Sequence, residues 1–286
     1  MDVSVASSWD PAPLILTGAG VALLLFAQAF VRLRRRGRDE HTGWLRVVLF
    51  LAAVSVGVLA LISPLDEIGD SYLISGHMLQ HVLIGDVAPA LALVALRGPL
   101  LFFLAPRLVL RRLARLRRLR ASLAFVLRPA VSLAIWALVI AAWHVPAAYD
   151  YALAHQAVHD LEHLSFFAAG LLVWMQLIDP ARRGELRVFQ RLGYAVTLFA
   201  FGALLGGVLL LSAPLYPAYT AQSTRLFGLS PLQDQQLAGL AMIGEQFLSL
   251  GLCTIFLLGP FAIRIRRASA AARAVRLAEF RAERAT

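Results

Sequence analysis

Six of the seven histidines fall into two short stretches whose spacing suits a metal ion. His77 and His81 stand four apart, and His155, His159 and His163 repeat that interval twice, after a Trp143-His144-Val145-Pro146 corner. On a helix, residues four apart share one face, about 6 Å apart along the axis. Metal or haem ligation is the chemistry such imidazoles offer first. Glu162 completes His159-x-x-Glu162-His163, the inverted zincin spelling, in which the glutamate acts as base to a zinc-bound water. Met78 and Met242 are the thioethers at the depth of the histidines, and Asp86 and Glu245 are carboxyl groups set deep in apolar runs. The lone cysteine, Cys253, rules out both an internal disulfide and a cysteine-cluster metal site within one chain.

Imidazole with thioether suits copper, and imidazole with carboxylate suits zinc or iron. Four histidines on two helices would also serve bis-imidazole haem, although no inner half-span carries a histidine for a second haem. The plainer readings are hydrated interfacial residues for His77 and His155, and a structural pairing of Asp86 and Glu245 with Gln80, Gln246 or a backbone amide. No nucleophile–base arrangement stands out, so a metal-binding role is expected ahead of an enzymatic one.

These groups must be positioned by membrane helices. Hydrophobic residues make up 59% of the 286 and charged residues 15%, with a mean hydropathy of +0.72, which is too apolar for an ordinary soluble domain. The composition predicts an all-α, polytopic seven-helix bundle, a single membrane domain over 1–286. Its spans are expected at about 14–31, 44–62, 72–96, 125–143, 157–178, 192–211 and 237–263, with a tail at 264–286. Arginine gathers after spans one, three, five and seven, so the N-terminus is predicted outside and the C-terminus inside. Six histidines then lie at or just below the outer surface, with only His41 on the cytoplasmic side. Residues 107–120 read as one arginine-rich interfacial helix against anionic headgroups. No positive N-terminal region announces a cleaved signal peptide. All 27 basic residues are arginine, which excludes a lysine Schiff base. Topology explains their clustering without a nucleic-acid partner.

Three ordered blocks carry a resemblance that spans residues 45–261. They are SPLDEIGDSYLISGHMLQHVLIGDVAPALALVALRGP, WHVPAAYDYALAHQAVHDLEHLSFFAAGLLVWMQLIDP and SPLQDQQLAGLAMIGEQF. Together they are similar to the CtaG-like family of bacterial cytochrome c oxidase assembly factors, seven-helix proteins of the inner membrane. In the terms of that family, His77, Met78 and His81 form an H-M-x-x-H block, Trp143, His144 and Pro146 a W-H-x-P block, and His159, Glu162 and His163 an H-x-x-E-H block. Asp234, Gln235 and Gly239 begin the last one. The resemblance implies a role in maturing the copper centres of a haem-copper oxidase. The implied partners are the oxidase subunit that carries a copper centre and a periplasmic or extracellular copper chaperone. His77, His81, His144, His159, His163, Met78 and Met242 would then bind copper, with His155, Glu162, Asp86 and Glu245 in support. A zinc metalloprotease and a haem protein are the competing readings. Ligation needs neutral imidazole, so loading should fall as pH drops through the histidine range.

Overall fold

The computed structural model describes residues 7–283, and all regular structure among them is helical. The expectation of no signal peptide rests partly on residues 1–6, and the tail ends at 284–286; both lie outside the described residues.

Helix α1 (Pro13–Arg34) and α2 (Trp44–Ile62) are joined by a 3₁₀ turn at Asp39–His41. A short α3 (Pro64–Ser71) starts at Ser63, whose Oγ accepts from the Leu65 amide, as an N-cap should. The third crossing combines α4 (Ile74–Val82), a π-helical segment (Leu83–Val87) and α5 (Ala88–Ala95). After it come α6 (Pro99–Phe103), α7 (Arg107–Arg115), α8 (Arg117–Val126) and α9 (Pro129–Trp143). The chain then forms α10 (Pro146–Ala154), α11 (Gln156–Ile178), α12 (Val188–Leu211), α13 (Pro217–Thr220) and α14 (Pro231–Glu283).

Six of these crossings are long and apolar enough to traverse a membrane, and α8 with α9 forms a seventh candidate bent by 74°. The protein is therefore a multi-pass membrane protein. Large apolar side chains point outward from several helices, among them Leu14, Leu138, Leu211 and Leu252, as lipid contact requires.

The bend corrects the fourth span. The expected helix over 125–143 begins only at Pro129, because Arg128 is extended (φ −70°, ψ 137°) and Pro129 supplies no amide to continue a preceding helix. Its 15 residues cover about 22 Å, short of the ~30 Å hydrocarbon core. The single helix expected over 107–120 is likewise two, broken at Leu116 (φ −82°, ψ 84°). Span six starts four residues earlier than expected, where the Gln190 side chain accepts from the Arg187 amide at 2.8 Å.

The π segment has a local cause. Pro89 lacks an N–H and its ring crowds the carbonyl four residues back, at Gly85. The widened turn accommodates that conflict, and the Gly85 carbonyl lies against α11 at Gly170, where an added Cβ would overlap it. A second glycine contact, Gly206 with Gly239, brings α12 and α14 together, the small-residue packing by which membrane helices approach closely.

Hydrogen bonds between residues distant in sequence sort the connections into two ends. At one end, Arg46 donates to the carbonyls of Ala95 and Arg97, and the Gly98 amide donates to Pro180 O. At the other, Tyr219 Oη donates to Gly69 O, Gln222 to Ser71 O and Tyr216 Oη to His144 O.

Candidate metal centre

The H-x-x-E-H block lies on α11, and the i, i+3, i+4, i+7 positions His159, Glu162, His163 and Phe166 share one buried face. Opposite stands α4, bearing His77 and His81. Asp234, from the first turn of α14, fixes where α4 starts. Its carboxylate accepts from the Ile74 amide at 2.9 Å, from the Ser75 amide at 3.0 Å and from the Ser75 hydroxyl. Two orphan amides of the helix N-terminus are satisfied at once, by an anion at the favourable end of the helix dipole. Gln235 ties the neighbouring loop to the same place, accepting from the Leu215 amide and donating to Leu209 O. Asp234 and Gln235 therefore position the histidine helix.

The four imidazoles form one cluster. His77 Nε2 and His81 Nε2 are 2.8 Å apart, and the His159 and His163 rings are 4.2 Å apart between centroids. Across the helix pair, the centroid distances are 5.2 Å for His77–His159 and 5.3 Å for His81–His163. Glu162 Oε1 lies 3.6 Å from His81 Nε2. The sequence reading missed Asp70, whose Oδ1 is 3.4 Å from both His77 Nδ1 and His159 Nε2. Asp70 arrives from α3, which doubles back onto α4 so tightly that a Cβ on Gly69 would meet the His77 backbone at 3.0 Å.

Two overlapping donor sets result: His77 with His159 and His163, and His77 with His81 and Glu162, each with its ligand atoms within 4.8 Å of one another. Four of these groups are almost sealed, with His77 and Glu162 at 0% exposure and His81 and His159 at 4%. Yet Asp70 Oδ1, His77 Nδ1, His81 Nδ1, His159 Nε2, His163 Nε2 and both Glu162 oxygens have no hydrogen-bond partner among the described residues. Each buried polar atom left unpaired costs about 1–3 kcal/mol. A cation placed among these lone pairs would satisfy them together, so the donor set fits a metal ion with nitrogen and oxygen ligands.

The other candidate residues are placed differently. His144 donates from Nδ1 to Ile140 O at 2.8 Å, which leaves Nε2 buried and unpartnered. It shares a cavity of about 40 Å³ with Met78, His81, Asp86, Met242 and Gln246, beside the cluster. Met78 and Met242 thus adjoin His81 and lie outside the two donor sets. His155 is apart from all of these. Its extended backbone (φ −137°, ψ 98°) ends α10, and its exposed ring stacks on Tyr151. The four-residue repeat fails there because the helix starts one residue later. Asp86 accepts from Trp174 Nε1 at 2.6 Å and lines the same cavity as His81 and His144.

Outside the spans, Asp66 receives a hydrogen bond from Gln80. Burial, with Asp70 adding repulsion, pushes its carboxyl up to about 7. Gln80 also donates to Ala60 O, so Asp66, α2 and α4 are linked just beside His81.

No curated protein and no solved structure matches this chain. The family model described as cytochrome c oxidase caa3 assembly factor (Caa3_CtaG) matches residues 24–262. The ordered blocks, the helical membrane fold and this match over most of the chain agree: the protein belongs to the cytochrome c oxidase caa3 assembly factor family.

Proposed function

We propose that this assembly factor takes up copper at the α4–α11 histidine cluster and passes it to the copper-bearing subunit of its oxidase. The copper is cargo, held by His77, His81, His159 and His163, with Asp70 and Glu162 supplying negative charge. His144, Met78 and Met242 offer a softer set of donors next to it. The observation that carries this reading is the convergence of buried nitrogen and oxygen atoms with no protein partner. Imidazole and thioether are donors that suit copper, and the cluster needs no thiolate to hold it. We place the cluster on the periplasmic or extracellular side of a bacterial cytoplasmic membrane, because the connections at its end of the bundle carry little arginine. Copper could then arrive from a chaperone in that compartment.

The alternatives have less support. The imidazoles of His77 and His81 touch directly, which favours a bare ion over a macrocycle sandwiched between them. Glu162 packs against His81 at 0% exposure, whereas a protease base would face a groove that admits peptide.

Metal analysis of the purified protein, with an absorption spectrum, tests the proposal. Stoichiometric copper in the wild type and its loss in His81→Ala and His163→Ala are expected, together with loss of oxidase copper in cells carrying either variant. Copper content that ignores both substitutions would overturn the reading. A Soret band that tracks them would replace it with haem.

A further inference from the structure

The cavity beside the histidine cluster has a chemistry of its own. About 40 Å³ in volume, it is bordered by Met78, Met242, His81, His144 and Asp86, and it has room for a few water-sized guests. Its two thioethers come from α4 and α14, and His144 comes from the C-terminal end of α9. Packing explains part of this arrangement. Met78, at 1% exposure, and Met242, at 8%, share an apolar cluster with Tyr149 and Leu209, where methionine is an ordinary filler. Packing does not explain His144. Its Nδ1 is bonded to Ile140 O at 2.8 Å, so the neutral ring keeps its lone pair on Nε2, and that sealed nitrogen has no partner. A ring held at one nitrogen by a backbone carbonyl, with the other nitrogen bare, is how metal-binding imidazoles are commonly oriented.

The donors here differ in kind from those of the cluster. Asp70 and Glu162 both stand beside the cluster imidazoles. Of the two deep acids, only Asp86 borders the cavity, and its Oδ1 already accepts from Trp174 at 2.6 Å. Thioethers with imidazole select copper(I) over harder divalent ions. A single charge is also cheaper to take out of water than a double one. His81 belongs to both places: its Nε2 lies 2.8 Å from His77 Nε2 in the cluster, while its ring borders the cavity and its Nδ1 has no partner.

We propose that the cavity is a second copper site, separate from the cluster and selective for copper(I). Its ligands are His144 Nε2 and the sulfurs of Met78 and Met242, with His81 as the boundary residue shared with the cluster. Binding exchanges ligands and moves no electron, because the ion arrives as copper(I). The identity of the natural ion rests on the copper reading; the preference of the cavity for a soft monovalent ion does not.

Silver(I), soft and monovalent, is the probe. Cys253→Ala first removes the one competing thiol. In that background the protein in lipid nanodiscs should bind silver(I). Met78→Leu with Met242→Leu nearly conserves volume. The pair should weaken silver binding by more than about tenfold, the least that losing even an outer partner of a metal site costs. Unchanged affinity would overturn the site. So would silver that is retained by the leucine pair and lost in His163→Ala, which would assign it to the cluster. X-ray absorption at the copper edge keeps both methionines in place. With one equivalent of copper(I) loaded anaerobically into the Cys253→Ala protein, sulfur is expected in the first shell, and nitrogen and oxygen alone would overturn the site. Copper content of His81→Ala and His163→Ala decides the cluster separately, so either site can fail without the other.

Discussion

Asp70 shows what the sequence could and could not convey at the scale of single residues. His77, His81, His159, Glu162 and His163 were legible because helical spacing alone puts each group on one face. Asp70 was read only as one of several acids in a connection. It reaches the cluster because α3 reverses at Tyr72 and Leu73 and packs Gly69 against Gly76, a tertiary contact that no periodicity encodes. The signal that could have found it is the pair of glycines flanking the reversal. His155 failed in the opposite sense: its spacing is right, and its backbone is outside the helix. Asp70 Oδ1 lies 3.4 Å from two imidazole nitrogens, close enough to orient them or to meet the ion directly. Asp70→Asn keeps the shape and removes the charge, so cation affinity should fall by about 10–100-fold. Competition with a chromophoric chelator measures this, and an unchanged affinity would reduce Asp70 to a bystander.

Elements decide whether the two histidine pairs meet at all. The third and fifth crossings were readable as apolar runs, but their mutual position depends on the π segment that Pro89 provokes and on the absence of a side chain at Gly170. A Cβ at Gly170 would collide with backbone at Gly85, which has no rotamer by which to escape. Overpacking against side chains costs about 1–3 kcal/mol, and a backbone obstacle should reach or exceed the upper figure. Gly170→Ala should therefore lower the thermal midpoint in detergent sharply and loosen cation binding with it. Gly193→Ala, on α12 with nothing within 4 Å of its added Cβ, should be neutral or stabilising by up to about 1 kcal/mol. Equal midpoints for the two variants would show that the α11 contact is softer than its geometry implies. The fourth crossing was less legible, because apolarity continues through 125–143 while Arg128 and Pro129 turn the backbone inside that run.

At the scale of the whole molecule, the direction in which the bundle faces decides whether the site is useful. Hydrogen bonds between residues distant in sequence collect residues 46, 95–98 and 180 at one end, and residues 69–75, 144, 215–222 and 234 at the other. Arginine crowds the first end, with Arg34, Arg35, Arg36, Arg97, Arg182 and Arg183, whereas the histidine end holds Asp66, Glu67 and Asp70. The statistical preference of basic loops for the cytoplasm supports our proposal that the cluster faces outside, in the compartment where copper would be handed over. Replacing Cys253 by alanine leaves a cysteine-free background. Exposed Ser223 and Arg38 lie at opposite ends of the bundle. In intact cells, a membrane-impermeant maleimide should label Ser223→Cys, and should label Arg38→Cys only after lysis. The reverse pattern would leave the donor geometry intact but turn it toward the cytoplasm. Copper binding would then survive as a property of the cluster, and delivery to an outward-facing oxidase site would not.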